Sequence, residues 1–116
     1  MHFKLIIVLA DAEITDTIMD AAREAGATGA TVVGEARGEG LVPQKTFFGL
    51  TLETQRAMLL FLVEEHLSRK ILEQISEVAG FEAHPGSGMA FQLDVEDTVG
   101  LKSQIKTLIS EVEEKL

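Results

Sequence analysis

The residues best suited to hold a ligand lie in the run Ala83-His84-Pro85-Gly86-Ser87-Gly88-Met89-Ala90-Phe91-Gln92-Leu93-Asp94-Val95. Two glycines around a serine let the backbone come close to a ligand and turn its N–H groups toward an anion, because no Cβ stands in the way. An ordinary helix-to-strand connection can read the same way, so the turn by itself is a weak signal. A second irregular stretch, Arg37 to Leu52, strengthens it by falling at the matching point of the first half of the chain. Gly38, Gly40, Pro43 and Gly49 punctuate that stretch, and neither helical nor strand periodicity survives in it. Connections this long are usually functional or disordered. Phe47 and Phe48 have no reason to sit adjacent in water, so they are expected to dock on the protein's own assembly or on a partner. His84, beside the glycine turn, is a candidate contact for a ligand or anion.

Other chemistry is sparse. The chain has no cysteine, which excludes disulfides, thiolate metal sites and cysteine nucleophiles. His2, His66 and His84 do not converge by spacing on a metal. The acidic run Asp94-Val95-Glu96-Asp97 and the group Glu111, Glu113 and Glu114 read as solvated faces. Ser87 has only His84 as a nearby base and no nucleophile elbow around it, so the reading is a protein that is not an enzyme. Acidic residues number 19 against 10 basic, and the net charge of −9 opposes affinity for nucleic acid or anionic lipid. The apolar run Leu5 to Ala10 is too short for a membrane span and lacks a secretory cleavage site. A cytoplasmic protein with no membrane insertion is expected.

The elements that must carry the two loops follow from periodicity. Phe3 to Leu9 has strand length and β-branched content, and is apolar on both faces. Asp11 is placed to cap a helix whose stripe is Ile14, Ile18, Ala21, Ala22 and Ala25, with Gly26 at its end. Thr28 to Glu35 reads as a second strand. Thr54 to Val63 reads as a third, again apolar on both faces. Glu64 and Glu65 suit the start of a second helix, with Leu67, Ile71, Ile75 and Val78 as its stripe and Gly80 as its stop. Beyond the glycine turn a fourth strand puts Met89, Phe91, Leu93 and Val95 on one face. From Leu101 onward comes an amphipathic helix.

Two strand–helix–strand units in succession predict an α+β fold, a ferredoxin-like βαββαβ sandwich in a single domain spanning 1–116. Its core is residues 1–100, with a long loop over about 37–53 and an extra C-terminal helix over about 101–115. Right-handed crossovers place both helices on one face of the sheet. Strands apolar on both faces cannot leave the other face bare, since each exposed large side chain forgoes roughly 1.5–3 kcal/mol. One short helix cannot cover four strands, so a homo-oligomer is expected with that face at its centre.

Four pieces of the chain resemble the P-II nitrogen-regulatory superfamily. They are the opening strand, Glu24-Ala25-Gly26-Ala27-Thr28-Gly29-Ala30-Thr31-Val32, the long loop opening near Gly38 and Gly40, and Gly86-Ser87-Gly88 leading into Phe91-Gln92-Leu93-Asp94-Val95. The resemblance covers roughly residues 2 to 100 and marks the chain as a divergent member. It implies a homotrimer that binds an adenine nucleotide (AMP, ADP or ATP) in the cleft between subunits. It also implies regulation of a partner, such as a membrane transporter or a metabolic enzyme, through the long loop, called the T-loop. By position, Thr31 and the Gly38–Gly40 region would border the ligand, while Gly86, Ser87 and Gly88 would face its phosphates, with Met89 and His84 alongside. Phe47 and Phe48 fall in the partner-binding loop. Met89 stands where the family places a lysine, and Asp97-Thr98-Val99-Gly100 stands where it carries arginines. Both replacements remove cations that would neutralise a triphosphate. A chain without tyrosine also lacks the modifiable T-loop residue. From other classes, the same fold suits a divalent-metal-binding trimer similar to the ion-tolerance proteins, or an interaction module with an empty cleft.

Overall fold

Alternation of buried and half-buried residues along two long strands organises the structure, a computed structural model that describes residues 1–36, 46–47, 50–51, 56–102, 105–106, 109 and 113. In chain order the elements are β1 (Phe3–Asp11), a 3-10 turn (Ala12–Ile14), α1 (Thr15–Ala25), β2 (Thr31–Ala36), β3 (Thr46–Phe47), β4 (Leu50–Thr51), β5 (Arg56–Glu64), α2 (Glu65–Ala79) and β6 (Gly88–Val95). The four long strands form one antiparallel sheet in the order β2-β5-β1-β6. This is the ferredoxin-like order, with the first and third long strands, β1 and β5, at the centre and the second and fourth, β2 and β6, at the edges.

Ile6, Val8 and Ala10 of β1 and Ala57, Leu59, Phe61 and Val63 of β5 point to one face and are buried there. Ile18, Ala22 and Ala25 of α1 and Leu67, Ile71 and Ile75 of α2 meet them in a single apolar core. The small alanines on α1 let that helix lie close to α2. Each helix ends at a glycine with positive φ, Gly26 at 121° and Gly80 at 69°, where a Cβ would be strained. Val78, placed on the α2 stripe by spacing, is 39% exposed and lies at the margin of the core.

The opposite face is also apolar. Cross-strand register sets Leu62, Leu5 and Leu93 in one row, Thr31, Leu60, Ile7 and Phe91 in the next, and Val33, Met58, Leu9 and Met89 in a third. Leu101 reaches this face beside Phe3, Leu60 and Leu62, and the Ile105 amide donates to the Leu101 carbonyl at 3.0 Å, one turn of helix. The cover is local. Leu93 remains 49% exposed and Val33 41%.

Three expectations need correction. Asp11 precedes the 3-10 turn, but its side chain makes no cap hydrogen bond; the carboxylate pairs with Arg56 instead. The second strand starts at Thr31, because Thr28 to Ala30 form an exposed connection without ladder partners. Residues 46–51, read as aperiodic, include a hairpin in which Thr46 pairs with Thr51 and Phe47 with Leu50. Strands of two residues are too short for an alternating pattern to register.

Ile71 is wholly buried between α2 and the sheet. Ile71→Ala should lower unfolding free energy by about 2–5 kcal/mol in urea denaturation, through lost transfer energy and the cavity left behind.

Candidate functional site

The glycine turn is built between the end of α2 and the start of β6. Gly80 reverses the chain, the His84 amide donates to the Gly80 carbonyl at 3.0 Å, and the Ser87 amide donates to the His84 carbonyl at 3.1 Å. These bonds use the main chain of His84, and its side chain is exposed. Gly86 has a φ of 85°. Gly88 is glycine for a packing reason: a Cβ there would overlap the Phe81 ring and lie 2.7 Å from the Leu9 carbonyl oxygen. Ser87 Oγ is buried and, among the described residues, has no hydrogen-bond partner. A buried unpaired hydroxyl costs roughly 1–3 kcal/mol, so this atom invites one.

Spacing and composition did not single out Arg56. It opens β5, is 5% exposed, and holds the turn from behind. Its Nη1 donates to the Ser87 carbonyl at 2.5 Å and its Nη2 to the Gly86 carbonyl at 3.1 Å. Nη1 also lies 3.1 Å from Asp11 Oδ1. The signal was present as a cation heading an otherwise apolar strand, but its partners lie far away in sequence.

Thr31 sits elsewhere. It lies on β2, one edge of the sheet, while Gly88 and Met89 lie on β6, the other edge. Three strand spacings, about 14 Å, separate them. Thr31 lines a cavity of ≈ 230 Å³ on the uncovered face with Thr28, Gly29, Leu60 and Leu101. One chain therefore brings Gly86, Ser87, Gly88, Met89 and His84 together but leaves Thr31 apart. Gly38, Gly40 and Phe48 lie outside the described residues, and Phe47 is described only by its backbone pairing with Leu50.

A groove of ≈ 750 Å³ runs on the helix side between α2 and β6. Glu73, Glu77 and Glu82 line it against Arg69, whose Nε already bonds Glu73 at 2.8 Å. Three carboxylates and one committed guanidinium make it a poor seat for phosphate.

At the start of α2, Glu64 is 2% exposed. Its Oε2 accepts from the His66 amide at 2.8 Å, and its Oε1 meets His66 Nδ1 at 2.5 Å. Glu64, Glu65 and His66 are the one group among the described residues whose donor atoms cluster within 4.8 Å. A cation there would have to displace both bonds that already hold Glu64. The hydrogen bond and charge of Glu64 raise the pKa of His66 above 6.5. Across the sheet, the Lys4 ammonium bonds the Asp94 carboxylate and holds its pKa below the ordinary range.

A ferredoxin-like subunit with a ligand-sized glycine turn at one sheet edge and an apolar uncovered face defines the class: a small α+β subunit suited to self-association. The family profile described as nitrogen regulatory protein P-II matches residues 3–104, and the chain belongs to that family. Comparison with curated proteins returned no match. Among solved structures, CPII of Thiomonas intermedia K12, bound to ADP, AMP and acetate, is 24% identical with a TM-score of 0.65, covering 84% of this chain and 90% of that one. A second structure of that nitrogen regulatory PII-like protein, bound to ADP, AMP and bicarbonate, is 26% identical with a TM-score of 0.63, covering 86% and 97%. CutA1 from Pyrococcus horikoshii shares the fold at 18% identity and a TM-score of 0.66, covering 93% and 96%. Among the described residues no helix is long and apolar enough to cross a membrane.

The folded state favours protonated His66, so its contribution is fully present below pH 6.5 and is lost as pH rises through the higher folded-state value. His66→Gln should therefore lower Tm most at about pH 5.5 and match wild type at about pH 9, as read by thermal melts across that range.

Proposed function

We propose that the chain is a cytoplasmic, non-catalytic signalling subunit of a PII-like homotrimer, folded as one domain, that binds an adenine nucleotide between subunits. The observation that carries this reading is the placement of Thr31 and the glycine turn on opposite edges of one sheet. The face between them is apolar and largely uncovered. A neighbouring copy that covers this face can set its Thr31 edge against the turn of the first, and neither edge alone encloses a ligand. The ADP and AMP bound by CPII of Thiomonas intermedia supply the ligand class.

Charge narrows the choice. Met89 offers the turn no ammonium, Asp97 and Glu96 follow β6, and the whole chain carries −9. Charge-assisted contacts contribute roughly 1.5–3 kcal/mol each, so loss of two or more weakens a triphosphate most. AMP and ADP fit better than ATP. Ligand binding would then shift the population of the segment over about 37–53 that can meet a target, with Phe47 and Phe48 as its apolar contacts. The target's chemistry, transporter or metabolic enzyme, is left to that segment.

Calorimetric titration of the purified protein with AMP, ADP, ATP and cyclic AMP checks the reading. AMP or ADP should bind at least about tenfold more tightly than ATP, the effect of one lost charge-assisted contact. No heat from any of the four would remove the nucleotide from the account.

A further inference from the structure

The geometry points to Arg56 as the positioning residue that presents the glycine turn to an anionic ligand, an assignment that rests on the nucleotide reading above. Arg56 is 5% exposed, and among the described residues its guanidinium serves the Gly86 carbonyl, the Ser87 carbonyl and the Asp11 carboxylate. A planar fork can serve several acceptors at fixed angles, whereas an ammonium cannot. In a trans peptide the C=O and N–H point in opposite directions. Drawing two successive carbonyls onto Arg56 therefore turns the amide edges of the same peptides away from it, and of these the Ser87 amide is already taken by the His84 carbonyl at 3.1 Å. The negative ends of the turn face inward and are neutralised, and the side available to a ligand is relieved of them. Ser87 Oγ, buried and without a partner among the described residues, stands in the same turn.

This arrangement differs in kind from a lysine at position 89. A lysine would place its charge on the phosphate. Arg56 stands behind the main chain, and Asp11 holds it there from the end of β1. It acts by fixing which atoms of the turn face outward. The consequence is selective: its loss should weaken ligands that bring a phosphate to the turn, and spare the part of the binding energy that comes from adenosine.

The test uses the full chain, as wild type, Arg56→Lys and Asp11→Asn, titrated with ADP and with adenosine. Hydrogen exchange of the amides at 86–88 and in α2 is measured without ligand. Arg56→Lys should weaken ADP about tenfold while adenosine affinity holds within about twofold. It should also speed exchange at 86–88 about tenfold while the α2 amides do not change. Equal losses for ADP and adenosine, or none, would overturn the assignment by making Arg56 a structural residue only. Should Arg56→Lys fail to fold, Asp11→Asn decides. It keeps both carbonyl bonds but removes the charge that anchors the guanidinium from the end of β1, so about threefold weaker ADP with unchanged adenosine supports the assignment. Unchanged ADP refutes it. If the wild type binds neither molecule, the nucleotide reading falls, and exchange at 86–88 alone settles whether Arg56 sets the turn.

Discussion

A sheet that is apolar on both faces, with helices among the described residues enough for only one, is the constraint from which the remainder of this structure follows. On the helix side, Ile6, Val8, Leu59 and Phe61 are wholly or almost wholly buried against α1 and α2. On the other side, residues of the same hydrophobicity stand in register across four strands, and Leu101 reaches only one end of them. Leaving such a surface in water sacrifices roughly 1.5–3 kcal/mol for each large side chain. For a domain whose net stability is about 5–15 kcal/mol, several such losses are not a detail. Covering by further copies recovers them, and it does so with a surface the fold already presents.

On the proposed nucleotide reading, the same constraint locates the ligand. Thr31 and the glycine turn sit at the two margins of the exposed face, so the proposed trimer would bring turn and Thr31 edge from different copies toward each other. Electrostatics then set what the crevice can hold. The groove beside α2, whose lining includes Gly88 and Met89, carries carboxylates on its helix side, which disfavours an anion there. At the turn the positive charge lies behind the main chain, at Arg56, and is shared with Asp11.

Much of this was legible in the order of residues. The two amphipathic stripes, the helix-stopping glycines and the doubly apolar strands specify the ferredoxin-like order, because helical and strand periodicities differ and glycine alone takes positive φ without strain. The Gly-Ser-Gly turn and its entry into β6 were also readable. The Asp11–Arg56 pair was not. Asp11 beside a helix start reads as a cap, and only strand pairing reveals that its register partner is Arg56. Nor could periodicity show that Glu64 is buried, since a carboxylate at a helix start reads as a solvent-facing cap until His66 is seen to fold back onto it. The small hairpin at 46–51 escaped because two residues carry no period. Local patterns found the elements; contacts between distant residues had to await the fold.

Sedimentation velocity of the purified protein at micromolar concentration bears most directly on the central claim. The proposed PII-like trimer predicts one species at three times the mass of the chain, stable on dilution through that range. A single monomeric species would contradict the account, because the crevice between copies would then not exist.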